Sequence, residues 1–121
     1  MPHEIVWEER GVHKRFSGFL SFEEFARVQE EVLADPRVDT LRYIINDFLA
    51  VEGYSVTREE AEYSGAINRG TSFSNSRIRV ACVTTNMSAR LLIKAASLLS
   101  SLEVRTFPTL DMARAWACAP R

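Results

Sequence analysis

The chain has 121 residues, of which 46% are hydrophobic and 26% are charged, and this is the size of one globular domain with its own core. Fifteen basic and sixteen acidic residues give a formal net charge of −1, so there is no positive excess of the kind that favours nucleic-acid binding. No signal peptide and no apolar run of about 18 residues is found, and the two cysteines have no metal or redox spacing. We therefore expect a cytoplasmic protein with a single domain over residues 1–121.

The first third of the chain predicts a β-hairpin followed by a capped helix. Short strands are expected at residues 5–7 and 12–16, on either side of Gly11, which we expect to adopt a positive φ at the exit of the turn. Ser21 and Glu24 have the spacing of a capping box, in which each side chain bonds the other residue's backbone N–H. The helix that they open is predicted to end at Asp35 and Pro36.

The rest of the chain alternates strands with helices. Strands are predicted at residues 41–45, 78–83 and 104–107, and helices at residues 57–68, 87–101 and from 109 onward. Residues 48–56 contain Gly53 and predict a loop, and Thr57 with Glu60 forms a second capping box. The order ββαβαβαβα predicts an α/β domain with a five-stranded mixed, mostly parallel sheet and about four helices. The residues expected to be largely buried are Ile44, Val80, Cys82, Leu98 and Trp116.

No motif in the sequence indicates catalysis or a cofactor. The glycine patterns of nucleotide sites, the ligand spacings of metal sites and the nucleophile elbow are all absent. His13 is expected to be solvated, and Asp47 and Glu52 are expected to be solvated loop carboxylates rather than an acid–base pair. We predict a protein that is not an enzyme, with no catalytic residues, no cofactor and no metal.

Three segments carry a pattern that occurs together in one known family. Residues 16–25 place a glycine step before a capped helix, the strand at 41–45 ends in Asn46, Asp47 and Phe48, and residues 105–116 form a strand, a short turn and a helix with Ala113 and Trp116. These features resemble the SpoIIAA-like proteins of the STAS superfamily over nearly the entire chain. The resemblance implies the βα superhelix of that family, a fold shared with SEC14-type lipid carriers.

One functional feature of that family does not carry over. Its anti-sigma factor antagonists have a phosphorylatable serine beside an aspartate after the central strand. Here Asp47 is followed by Phe48 and Leu49, without an adjacent hydroxyl, so the serine phosphoswitch is absent.

The leading functional hypothesis is a non-enzymatic binding or regulatory module that acts through protein–protein contacts. Apolar side chains in the predicted loop after the central strand would lie at the carboxyl end of the sheet, where open α/β sheets bind ligands and partners. The residues predicted to bind a partner are Asp47, Phe48, Leu49, Val51 and Tyr54. The competing interpretation is that Phe48 and Val51 fold back and cover the sheet.

The alternative hypothesis is a SEC14-like carrier of a small apolar or lipid ligand. The helix at residues 57–68 contains Gly65 and other small residues, which would leave room beside it, although ordinary close packing explains the same composition. A further possibility is an anion site at a helix N-terminus, which ordinary capping also explains. The residues of this possible anion site are Thr84, Thr85, Asn86 and Ser88.

The helix at residues 87–101 has apolar side chains on more than one face. Leu91, Ala95, Leu98 and Leu102 are predicted to face the sheet, so Leu92 and Leu99 would need a second cover. A neighbouring helix could provide it, and so could a second subunit. We predict a homodimer formed through this helix or through residues 48–54.

Overall fold

Five strands form one sheet in which the spatial order of the strands follows their order along the chain. The computed structural model describes residues 3–120. The strands are β1 (His3–Glu8), β2 (Gly11–Ser21), β3 (Tyr43–Ser55), β4 (Arg79–Val83) and β5 (Glu103–Phe107). β1 pairs with β2 in the antiparallel direction, and the pairs β2–β3, β3–β4 and β4–β5 are parallel. The predicted five-stranded, mostly parallel sheet and the element order are confirmed.

Four helices connect or follow these strands. They are α1 (Phe22–Leu33), α2 (Arg58–Thr71), α3 (Met87–Leu99) and α4 (Leu110–Ala117), and a short 3₁₀ helix (Pro36–Thr40) follows α1. The capping box of Thr57 and Glu60 is present. Only half of the box predicted at α1 forms, because Ser21 accepts the N–H of Glu24 while the Glu24 carboxylate pairs with His3. Among residues 3–120, none of the helices has the length and apolar character needed to cross a membrane.

The helices cover the two faces of the sheet unequally. Side chains alternate between the faces along each strand, so Ile44 and Val80 lie in one core cluster with residues of α1 and α3, and α2 lies on the same side of the sheet. On the other face Ile45 and Ala81 pack against α4. The side of the sheet that carries three helices therefore holds the larger part of the interior.

The segment predicted as a loop at residues 48–56 instead continues β3 as far as Ser55. It pairs in parallel with the second half of β2, from Ser17 opposite Ala50 to Ser21 opposite Ser55. β4 ends opposite Asp47, so residues 17–21 and 50–55 form a two-stranded ribbon that projects beyond the sheet. The loop prediction was wrong because Gly53, which was interpreted as a strand breaker, pairs with Phe19 across the ribbon and is covered by its ring.

The positive φ predicted for Gly11 belongs instead to Gly18. Gly18 adopts a positive φ of 68°, the only such residue in the part of the chain described, and it lies at an irregularity of β2. Gly11 does not have a positive φ. It is required for space, because a Cβ there would overlap the ring of Tyr43.

The orientation predicted for the helix at residues 87–101 was wrong for Leu91 and Leu98, whereas Ala95 and Leu102 are buried as predicted. Leu98 is 72% exposed and Leu91 is 64% exposed, whereas Leu92, Ile93 and Ala96 face the interior. Ile44, Val80 and Cys82 are buried as predicted, and Trp116 is half-buried against Phe107. Periodicity could not choose among the apolar faces of this helix, since the choice depends on how α3 packs against α2.

The packing of α2 against α3 depends on Gly65. A Cβ at this position would overlap the carbonyl group of Ala96 in α3. The space that the sequence suggested beside Gly65 is therefore filled by the backbone of α3, whereas Ala61 and Ser64 of the same helix border an open space.

We expect Gly65→Ala to lower the free energy of unfolding by about 1–3 kcal/mol, because the added methyl group forces the two helices apart. Gly70→Ala is the matched control: it lies in the same helix with open space around it, and we expect it to be neutral or to stabilise by up to about 1 kcal/mol. Urea unfolding of both variants measures the difference. Equal stabilities of the two variants would contradict the proposed close approach.

Candidate ligand-binding cavity

A cavity lies between the sheet and the helices α1, α2 and α3. Its volume is about 140 Å³, and its wall is mainly apolar. Ile44, Val80 and Val104 form part of its floor, and residues of the ribbon such as Val51 and Tyr54 form one side. The cavity therefore extends from the amino ends of β3, β4 and β5 to the ribbon at the carboxyl edge of the sheet, and it opens where α/β sheets commonly bind ligands.

Lys14 is a charged residue inside this apolar wall. Its side chain lines the cavity, the residue is 3% exposed, and its Nζ lies 5.3 Å from the centroid of the Phe25 ring. Within residues 3–120 the ammonium group makes no hydrogen bond and no ion pair. Burial lowers the pKa of Lys14 to about 8, because the charged form has lost its water without gaining an anion.

Two polar residues of the neighbouring strands stand beside Lys14. Asn46 is opposite Lys14 in the β2–β3 register, and Cys82 is opposite Asn46 in the β3–β4 register, so the three side chains form a row on the cavity floor. The amide of Asn46 donates to Cys82 Sγ at 3.7 Å, but the buried Asn46 Oδ1 accepts no hydrogen bond from the described residues. Burial raises the pKa of the Cys82 thiol to about 11, so the thiol is uncharged at neutral pH.

The polar groups on the helical side of the cavity are, by contrast, paired with one another. Gln29 in α1 donates to the carbonyl of Ser64 at 3.3 Å and to Asn68 Oδ1 at 3.2 Å. The hydroxyl of Ser64 donates back to Gln29 Oε1 at 3.0 Å. These bonds join α1 to α2, whereas Lys14 and Asn46 keep unused hydrogen-bonding capacity on the floor.

At the mouth of the cavity the ribbon meets the start of α3. The hydroxyl of Tyr54 donates to Asn86 Oδ1 at 3.3 Å, and the same oxygen caps α3 by accepting the N–H of Ala89 at 2.9 Å. Thr84 Oγ1 accepts the N–H of Asn86 at 3.1 Å. Of the possible anion site, Asn86 thus caps α3, Thr84 is bonded to the backbone of Asn86, and Thr85 and Ser88 are exposed. The anion site itself stays a prediction.

The five residues predicted to bind a partner do not form one surface. Phe48 stacks on Phe16 with ring centroids 5.3 Å apart, and Phe48, Val51 and Tyr54 line the cavity. Leu49 is exposed. Asp47 is buried on the opposite face of the sheet, toward His13.

The expectation that His13 and Asp47 are solvated was wrong for both. His13 Nε2 lies 3.1 Å from Asp47 Oδ2, and both residues are buried. His13 Nδ1 is also 3.3 Å from Arg114 in α4, whose guanidinium donates to both carboxylate oxygens of Glu8 at 2.9 and 2.7 Å. The hydrogen bonds from Arg114 lower the pKa of Glu8. This network ties β1, β2 and β3 to α4.

Sequence analysis missed Lys14, although the pattern contained a signal for it. Alternation along β2 places residues 12, 14 and 16 on one face, and Val12 and Phe16 mark that face as the buried one. Lys14 stands between them at an inward position. Its neighbours across the sheet could not be inferred, since they depend on strand register.

Comparison with known proteins identifies the fold but indicates no activity. No protein-family model matches the sequence, and no curated protein has significant similarity to it. A solved structure of an uncharacterized DUF3478-family protein with a SpoIIAA-like fold, from Shewanella loihica PV-4, is similar with a TM-score of 0.58 and 16% sequence identity. The match covers 96% of this chain and 92% of that chain. The chain therefore has the SpoIIAA-like fold that the resemblance implied.

Replacing Lys14 by an apolar residue is expected to stabilise the protein. Lowering the pKa of Lys14 from 10.5 to about 8 corresponds to about 3 kcal/mol against the charged form. We expect Lys14→Met to raise the free energy of unfolding at pH 7 by about 1–3 kcal/mol. Lys94→Met, at the other lysine of the chain and exposed on α3, should change it by less than about 0.5 kcal/mol.

The pH dependence provides an internal check in denaturant unfolding experiments. Lys14 has a pKa of about 8 in the folded protein and a higher pKa in the unfolded chain. At a pH between these two values, the unfolded state binds more protons than the folded state. The stability contributed by this residue therefore rises with pH in that window. The advantage of Lys14→Met should shrink from pH 8 upward. If Lys14→Met is less stable than the wild type at pH 7, the result would show that other groups of the protein stabilise the buried ammonium group.

Proposed function

We propose that the protein is a non-enzymatic binding protein that holds a small apolar molecule in the cavity between the sheet and α1, α2 and α3. The observation that carries this proposal is the cavity itself, about 140 Å³ with a mainly apolar wall. An engineered cavity of about 150 Å³ lined by apolar side chains binds benzene. The volume thus suits a molecule of about that size.

A space of this volume beside apolar side chains is unusual inside a protein, because interiors normally pack to the density of organic crystals. An apolar ligand that occupies it would gain contacts with those side chains. Ligand pockets commonly have this character: concave, largely apolar and with a few polar groups that fix orientation.

The chemistry of the wall favours binding without catalysis. The titratable groups that line the cavity are Lys14, Cys82, Glu52 and Tyr54. None of the carboxylates in residues 3–120 is paired with Lys14, and the Cys82 thiol is protonated at neutral pH because burial raises its pKa to about 11. The lining therefore offers no acid–base pair, and the amine of Lys14 is mainly protonated at pH 7, because its pKa of about 8 lies above that pH.

Binding of 1-hexanol, an uncharged apolar probe, tests this proposal. Ala89 in α3 lines the cavity near its mouth, and we expect Ala89→Phe to abolish binding because the ring occupies most of the space. Ala66→Phe, at an exposed position of α2, is the matched control and should bind like the wild type. Calorimetric titration measures all three proteins.

Native mass spectrometry of freshly purified protein provides a second test. A bound small apolar mass that is lost in Ala89→Phe and kept in Ala66→Phe supports the proposal. Failure of the wild type both to bind 1-hexanol and to carry any small molecule would contradict it.

An exposed apolar stripe on α3 favours a second function, contact with another protein subunit. Met87 is 66% exposed, Leu91 is 64% exposed and Leu98 is 72% exposed, and their spacing places them along one side of the helix. We propose that a second copy of this chain covers the stripe, since two-fold homodimers bury the same patch from both subunits.

We expect Leu91→Glu and Leu98→Glu to give folded monomers, because each places a charge on a side chain that is exposed in the single chain. Leu92→Glu is the contrasting variant, since Leu92 faces the cavity and the charge should disrupt folding. Light scattering together with circular dichroism measures both properties. A wild-type protein that stays monomeric at high micromolar concentration would contradict the dimer.

A further inference from the structure

The polar end of the ligand can be inferred from the unpaired groups on the cavity floor. We propose that the cavity binds a small apolar monocarboxylate, whose carboxylate accepts a hydrogen bond from the buried ammonium group of Lys14. The inference rests on the proposed function, and it specifies the chemical class of the molecule that occupies the cavity.

The first argument is the missing partner of Lys14. Buried lysines are almost always paired with an anion or with hydrogen-bond acceptors. Lys14 is 3% exposed and faces the cavity, yet within residues 3–120 its ammonium has only the ring of Phe25, 5.3 Å from the centroid, as a stabilising contact. An anion that enters the cavity would supply the acceptor that the chain itself does not.

The second argument is the unpaired amide oxygen next to Lys14. Asn46 is opposite Lys14 across the β2–β3 register, and its buried Oδ1 accepts no hydrogen bond from the described residues. An ammonium group has three N–H donors. A carboxylate that takes one of them leaves two for other acceptors on the cavity floor, where Asn46 Oδ1 is unpaired.

The charges around the cavity restrict the anion to a single negative charge. Lys14 is the only cationic side chain among the described residues that line the cavity, and Glu52 stands exposed at its mouth. A dicarboxylate or a phosphate dianion would leave one charge uncompensated inside an apolar wall and closer to that glutamate. The apolar lining is instead suited to a hydrocarbon chain, and the volume is suited to about six carbon atoms.

Binding of such an acid should depend on pH through Lys14. Of the elements around the cavity, α1, α2 and α3 contribute no charged side chain to its lining, and the other titratable groups there are Cys82, Glu52 and Tyr54. The pKa of Lys14 is lowered to about 8 by burial, and that of Cys82 is raised to about 11. A bound carboxylate raises the pKa of Lys14, so affinity is greatest below pH 8 and falls by up to about tenfold per unit above it.

The experiment compares hexanoate with 1-hexanol, which has the same carbon chain without the charge. Calorimetric titrations at pH 6.5 and pH 9.5 are made with the wild type, Lys14→Met and Lys94→Met. We expect hexanoate to bind the wild type and Lys94→Met at least about tenfold more tightly than 1-hexanol at pH 6.5, as a charge-assisted hydrogen bond predicts. Lys14→Met should lose this preference while it still binds 1-hexanol, and the wild type should lose most of it at pH 9.5.

The outcomes separate this inference from the function on which it rests. Equal affinity of the wild type for the two probes, or a hexanoate preference that persists in Lys14→Met, overturns the monocarboxylate and leaves the apolar cavity in place. Absence of binding for both probes overturns both proposals. Retained binding of 1-hexanol shows that Lys14→Met has kept its fold.

Discussion

The parallel pairing of β2 with β3 is the constraint on which the cavity depends. It extends from Gly11 opposite Tyr43 to Ser21 opposite Ser55, whereas the pairing of β3 with β4 ends at Asp47. The additional length becomes the ribbon that walls one side of the cavity. The same register directs the side chain of Lys14 toward the cavity and that of His13 toward the opposite face of the sheet. A register slip of one residue would exchange the two faces. One set of backbone hydrogen bonds thus determines both the shape of the cavity and the charge within it.

Polar groups elsewhere in the protein are well satisfied, which sets the cavity floor apart. Gln29 is bonded to α2, and His13 to Asp47. Besides Asn46 Oδ1, one buried side-chain atom in the described part of the chain lacks a hydrogen bond, Nε of Arg79. It lies 3.9 Å from Glu103 Oε1 in an ion pair, and the same guanidinium donates through Nη1 to the carbonyl of Trp116 at 2.6 Å. Native proteins leave few such groups. An apolar cavity and a buried charge without an ion-pair partner lie in one place, and such local departures from ordinary packing are common at functional sites.

Local patterns predicted the type and order of the strands and helices because those patterns are themselves local. Thr57 with Glu60 marks a helix start whatever surrounds it, and alternation marks the buried strands. The failures concern contacts between distant segments. Gly53 lies within a strand because Phe19 covers it, and α3 turns Leu98 outward because Ala96 approaches Gly65. The candidate site could be predicted only in part: the inward position of Lys14 follows from alternation, whereas its lack of a partner depends on the whole fold.

The strand order has a consequence for how the chain folds. Every strand pairs with the one that precedes it in sequence, so each crossover closes a short loop and the sheet can grow from its N-terminal edge. The contact between Arg114 and Glu8 is different, since these residues are 106 positions apart. It can form only after α4 has been synthesised and has docked. During translation the cavity wall of β2, α1 and β3 can therefore assemble before the end of the chain closes the opposite face.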